Sequence, residues 1–328
     1  MKSSFYKLVM LALVGLLAFV PALAVSAQDC PSGISASDCA LIASATGENA
    51  AKLTSFAMDF TVDAVIKGVE ANDVTLSVKG NGGIDISKIN PAATDPAEIL
   101  AGLVLGVAMS GSLKGTTDDQ SGEIELRIVN GLSYLRIPEI PDGNWVKIDL
   151  LSSILTQQLS LGLGAAQGGN MDDIGGLLGN LNNPALAGLF GAIQTVYTAS
   201  DGPTIEVSTR AITATTDLKP FLQALADPNV SEALSQFLPQ DDPDTAQIRS
   251  FLPLLGLLFT KATIVSTQYY GTDGTFRGFK LELALAVDGQ MAAMLTGSPN
   301  NVDVRFTLDV RLSKLGEPYT VEVPAVIN

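Results

Sequence analysis

The residues with most chemical potential in this chain are its acids and its two cysteines. There are 34 acidic residues against 19 basic ones, and no histidine. Adjacent carboxylates stand at Asp118-Asp119, Asp172-Asp173 and Asp241-Asp242. A glycosidase draws its acid and its base or nucleophile from such a pair, but neighbouring acids in turn-rich sequence read more simply as solvated faces or helix caps. Asp241, Asp242 and Asp244 offer oxygens to a calcium ion, yet lack the spacing and the central glycine of an EF-hand loop. Without histidine, Ser-His-Asp and Cys-His catalysis and most zinc chemistry are excluded. No Gly-x-Ser-x-Gly elbow or dinucleotide fingerprint occurs. The glycine-rich stretch at 162–179 does not end in Gly-Lys-Ser/Thr, so it is no phosphate cradle. The sequence predicts a non-enzymatic protein that needs no metal and no cofactor.

Cys30 and Cys39 are the only cysteines. Two cysteines so close together outside the reducing cytosol predict a disulfide pinning an N-terminal strap. The first residues supply the export context. Lys2 and Lys7 precede an apolar run from Leu8 to Val20, Pro21 breaks it, and Val25-Ser26-Ala27 forms a small-residue cleavage site. Cleavage after Ala27 leaves Gln28 first. The competing reading is a retained anchor, although the apolar run is short for a membrane span. Cys30 does not directly follow the small-residue box, so lipidation is not expected. The net charge of −15 becomes more negative once the leader's two lysines are gone, which disfavours nucleic acid and anionic membrane surfaces as partners. The 47% hydrophobic content rules out an acidic disordered tail. The expected organisation is a signal peptide at 1–27, a strap at 28–55 with a short helix over 40–55, and one domain at 56–328.

The elements that must position any site follow from hydrophobic periodicity. Phe56, Met58, Phe60, Val62, Ala64 and Ile66 alternate as on a half-buried strand, and Val74, Leu76 and Val78 continue the pattern. Gly80, Gly82 and Gly83 suggest a bend or bulge. Leu103 to Leu113 and Ile124 to Ile128 predict further strands, and Asn130-Gly131 predicts a tight hairpin into the strand around Tyr134. Trp145 to Leu150 leads towards a helix, followed by short helices and loops at 150–200. One strand is expected over Thr204–Thr216, helices at 217–227, 229–238 and from Asp244, and strands at 260–270, 275–288, 301–313 and 318–323. Turns are expected at Thr272-Asp273-Gly274 and Ser298-Pro299-Asn300. About ten strands, with helices gathered in two insertions, predict an α+β fold: a large antiparallel sheet with helical insertions on one face.

The two insertions are greasy: Ala185 to Ala199 and Phe251 to Phe259 are almost free of charge. Either they simply complete a core, or they cover the sheet incompletely and leave an apolar cavity suited to an acyl chain, where each buried CH₂ is worth about 0.8 kcal/mol. The candidate cavity residues are Phe56, Met58 and Phe60 on the first strand, Leu105, Val107 and Met109 on a later one, Leu189 and Phe190 in the first insertion, and Leu255 and Phe259 in the second.

The hairpin Asn130-Gly131-Leu132-Ser133-Tyr134-Leu135-Arg136, the segment Trp145-Val146-Lys147-Ile148-Asp149-Leu150 entering helices, and the terminal Tyr319 to Pro324 together resemble the LolA/LppX-like lipoprotein-carrier superfamily. The resemblance covers most of residues 45–325. It implies a curved half-barrel wrapped around helices on its concave face, enclosing a cavity that carries lipids or lipid anchors. The expectation is an extracytoplasmic carrier for a lipid or lipophilic small molecule, with envelope proteins or a transient membrane contact as further partners. A cell-surface structural or interaction module with a filled core is the alternative.

Overall fold

The computed structural model describes residues 30–68, 73–90, 92–93, 95–115, 119–138, 144–148, 192–224, 227, 229–230, 258–296 and 300–325. Strands run at β1 (Ser55–Lys67), β2 (Val74–Asp85), β3 (Val104–Lys114), β4 (Gln120–Val129), β5 (Leu132–Arg136), β6 (Val146–Lys147), β7 (Gln194–Asp201), β8 (Thr209–Asp217), β9 (Phe259–Gly271), β10 (Phe276–Val287) and β11 (Val302–Ser313). The helices among the described residues are short: α1 (Ala36–Thr46), α2 (Pro96–Gly102), α3 (Lys219–Ala224) and α4 (Gly289–Thr296), with a 3₁₀ turn at Ala50–Thr54.

All eleven strands form one open, curled antiparallel sheet in the order β6-β5-β4-β3-β2-β1-β11-β10-β9-β8-β7. Two meanders, β1–β6 and β7–β11, are joined where β1 pairs with β11. The described structure is therefore sheet-dominated. Successive strands pair within each meander; tight turns close β4–β5 and β9–β10, while α2, α3 and α4 lie within the β2–β3, β8–β9 and β10–β11 connections. Asn130 and Gly131, both at positive φ (53° and 73°), close the β4–β5 hairpin. At the β9–β10 turn, Asp273 caps Thr275 with its carboxylate and Gly274 takes the left-handed position at φ 72°. The helix starts are equally local. Ser35 accepts from the Asp38 amide at the start of α1, and Asp95 accepts from Ala97 before Pro96 opens α2.

Several sequence expectations change. The glycines of β2 mark no bulge: β2 pairs without a register break with β1 and with β3. The strand expected over Thr204–Thr216 begins only at Thr209, after a tight turn in which Ile205 and Val207 bridge each other around Glu206 at φ 57°. The alternation there was real, but a chain reversing around Glu206 reproduces period two without a ladder. Residues from Gln194, expected among helices and loops, form the edge strand β7. The short helix expected near 40–55 lies earlier, at Ala36–Thr46, and α4 had no expected counterpart. Residues 318–323 form no strand. The expected helices at 229–238 and from Asp244, the leader at 1–27, the glycine-rich stretch at 162–179 and Ser298-Pro299 lie wholly or largely outside the described residues.

The predicted disulfide is present: Cys30 and Cys39 are bonded, with Cα atoms 5.8 Å apart. It ties the loop before α1 to the helix itself. Ile42 and Ala45 of α1 then pack with Ile212 and Tyr270 at one end of the sheet.

Candidate functional site

The sheet register sorts side chains onto two faces of opposite character. Residues opposite one another in antiparallel strands share a face, so each row of partners can be read across the molecule. One row runs Ala199–Ile212–Gln268–Phe279–Val310–Phe60–Gly80–Met109–Ile124. The next runs Tyr197–Ala214–Ser266–Leu281–Leu308–Val62–Val78–Gly111–Gly122. A third runs Thr195–Thr216–Ile264–Leu283–Phe306–Ala64–Leu76–Leu113–Gln120. No Asp, Glu, Lys or Arg stands in these rows, which belong to the inner face. Interleaved rows of the outer face are dense in charge: Asp59, Asp63, Lys79, Glu123, Glu125, Lys280, Glu282, Arg305, Asp309 and Arg311 all lie there. An antiparallel sheet with one face away from water shows this segregation.

Phe56, Met58 and Phe60 come together with Leu105, Val107 and Met109 through β2, whose Ile84, Gly82 and Gly80 lie between them. The glycines have a packing reason: a Cβ on Gly80 would sit 2.3 Å from Cζ of the Phe60 ring. These residues belong to one close-packed cluster with Leu126, Ile128, Val310 and Leu312, and none is more than 8% exposed. Phe259 starts β9 opposite Val287 at the other end of the sheet and is half-buried. Leu189, Phe190 and Leu255 lie outside the described residues. The inner face thus has two zones. It is filled around Phe56, Leu105 and Ile128, and only half-buried at Ala64, Ile66, Ile264, Leu281, Leu283, Leu285, Val304 and Phe306.

The ionised groups on the inner face cluster at its α1 end. Asp201 and Arg210 oppose each other there. Arg210 donates through Nε to Asp38 of α1 (2.8 Å) and through Nη1 to Asp201 (2.9 Å). The Arg210 hydrogen bond holds the Asp38 carboxyl below its ordinary value against the opposing effect of burial, with Ser35 also donating to it. Nearby, burial pushes the Tyr270 hydroxyl pKa up, and that hydroxyl donates to Gln268 at 2.5 Å.

The outer face carries a different assembly. The C-terminal segment crosses β2, β3 and β4 there: the Tyr319 ring lies over Gly83, its hydroxyl reaches the Gly106 carbonyl, Val321 lies over Gly106, and Arg127 donates to the Glu322 carbonyl. Arg127 also stands 4.5 Å from the Trp145 ring centroid, with Arg136 on that ring at 5.6 Å. Beside this segment a groove of about 300 Å³ is lined by Lys79, Asn81, Ser110, Glu123 and Glu125, among others. Its charged walls suit polar contacts and not an acyl chain.

Two features escaped the sequence. The hydroxyl-bearing flank of the inner face on β7–β9 requires the strand order to bring Thr195, Thr216 and Ser266 together. The buried Arg277, which donates to Glu206 (2.6 Å) and Asp273 (2.8 Å) and so clamps two turns, pairs groups far apart in the chain. Among the described residues no group of three or more His, Cys, Asp or Glu is placed to hold a metal, and no helix is long and apolar enough to cross a membrane. No protein-family model matches the chain, and no curated protein matches it.

Proposed function

We propose that this protein is an extracytoplasmic, non-catalytic carrier for a lipid or other lipophilic molecule, held on the inner face of a half-barrel sheet beneath helical insertions. The observation that carries this reading is the inner face itself. Its rows are uncharged from β5 to β9, and apolar residues at Ala64, Leu283, Leu285 and Phe306 remain half-buried. Apolar side chains left half-buried side by side on one sheet face are the kind of lining that lipophilic ligand sites use. The export reading rests on the Lys2–Ala27 leader pattern, and the Cys30–Cys39 bond accords with an oxidising compartment. Envelope proteins and membranes are the partners between which such cargo would pass.

The filled zone around Phe56, Leu105 and Ile128 favours a second reading, a cell-surface interaction module whose sheet is only a scaffold. Organic extraction of the purified protein followed by mass spectrometry separates the two. A carrier releases a stoichiometric lipophilic compound or takes one up when it is offered. A protein that yields none, takes up none and still retains envelope proteins in pull-downs is the scaffold.

A further inference from the structure

The inner face is not uniformly apolar. Along the row Thr195–Thr216–Ile264–Leu283–Phe306–Ala64–Leu76, the two threonines at the β7–β8 end give way to hydrocarbon from β9 onward. Their hydroxyls are 2.9 Å apart. In the neighbouring row Tyr197 and Ser266 stand beside them, and both are half-buried. A cluster of hydroxyls thus sits at one end of an apolar track. From β10 to β2 that track crosses three strand spacings, roughly 14 Å at about 4.8 Å each.

We infer that the bound molecule is a single-chain amphiphile with an uncharged, hydroxyl- or amide-bearing head, the head seated on Thr195, Thr216, Ser266 and Tyr197 and the tail lying along Leu283, Phe306 and Ala64. This inference rests on the carrier reading. Hydroxyls both donate and accept hydrogen bonds, so they satisfy a diol, sugar or amide. They offer no countercharge to a carboxylate, phosphate or ammonium, and an ion brought onto rows whose described residues carry no countercharge loses its hydration uncompensated. The described inner-face ions lie at the α1 end, where Arg210 is bonded to both Asp201 and Asp38. Arg210 is thereby committed to holding α1.

The test compares amphiphiles that share one tail. 1-Monomyristoylglycerol, myristate and tetradecyltrimethylammonium, each below its micelle concentration, compete with N-phenylnaphthylamine bound to the purified full chain. The neutral head is expected to bind at least about tenfold tighter than either charged one. In the Thr216→Val/Ser266→Ala protein that gap is expected to shrink to about threefold or less, each constant being referred to that variant's own N-phenylnaphthylamine affinity. If the double variant does not fold, Thr195→Val is read the same way. Equal or tighter binding of a charged amphiphile, or a preference that survives the hydroxyl substitutions, overturns the head-group assignment while the carrier reading stands. Failure to bind N-phenylnaphthylamine and every amphiphile overturns the carrier reading itself.

Discussion

Asp38 shows how one side chain fastens a helix to a sheet. Its carboxylate accepts from Arg210 on β8 and from Ser35 at the start of α1, and its side chain is only 7% exposed. Its pKa in the folded protein lies below the ordinary aspartate value, held there first by the Arg210 bond. A depressed carboxyl pKa contributes stability that is complete above the unfolded value and is lost as pH falls through the folded one. Asp38→Asn is therefore expected to lower stability at pH 7 by about 1–2 kcal/mol. It should also flatten the loss of thermal midpoint between about pH 4 and pH 2. Melts across that range check it, and a variant that parallels the parent protein over the whole range would rule out this role for Asp38.

At the scale of elements, two attachments deserve separate measurement. The disulfide closes a short loop, with its cysteines 9 apart in sequence, and is expected to contribute about 2–3 kcal/mol in the chain-entropy model. Cys30→Ser/Cys39→Ser should lose that much in denaturant unfolding. Hydrogen exchange should quicken in α1, while β1, β10 and β11 keep their protection. The C-terminal segment is the second attachment, and it depends on small residues beneath it. A Cβ on Gly106 would stand 2.9 Å from Val321 Cγ2 and 3.0 Å from the Tyr319 hydroxyl. Gly106→Val is expected to cost about 1–2 kcal/mol by lifting the segment. In a chain ending at Pro318 the same change should be neutral or stabilising, since valine favours strands over glycine. Such non-additivity, measured as a double-mutant cycle, would assign the cost to the crossing segment.

For the whole molecule the decisive property is the separation of charge from the inner face. A charge placed in the half-buried zone should spoil binding more than folding, because water still reaches it there. Leu283→Glu, on the row with Phe306 and Ala64, is expected to abolish N-phenylnaphthylamine uptake. Its midpoint should fall by only a few degrees, about 1–2 kcal/mol. Leu105→Glu, in the filled zone at 1% exposure, should instead prevent folding, because a buried unpaired charge is far more costly. If both variants bound the dye as the parent does, the inner face would not be the site.

Much of this was already present in the sequence. Period-two runs at Phe56–Ile66, Leu103–Leu113 and Ile124–Ile128 determined strands with one apolar side, because consecutive side chains on an extended chain must alternate. Asn130-Gly131 determined its hairpin, because few residues tolerate two successive left-handed positions. The proximity of Cys30 and Cys39 determined the bond. The tertiary structure decided what depends on pairing between distant segments. It turned the strand expected at 318–323 into a segment crossing the glycines of β2 and β3, and it placed β7 at an edge. It joined the two meanders through β1 and β11, which no local propensity encodes. That junction aligns the hydroxyls of β7–β9 with the hydrocarbon of β10, β11 and β1 along single rows. Which residues share a row is set by register between strands far apart in sequence, and period two specifies only the face each residue takes, not its neighbour.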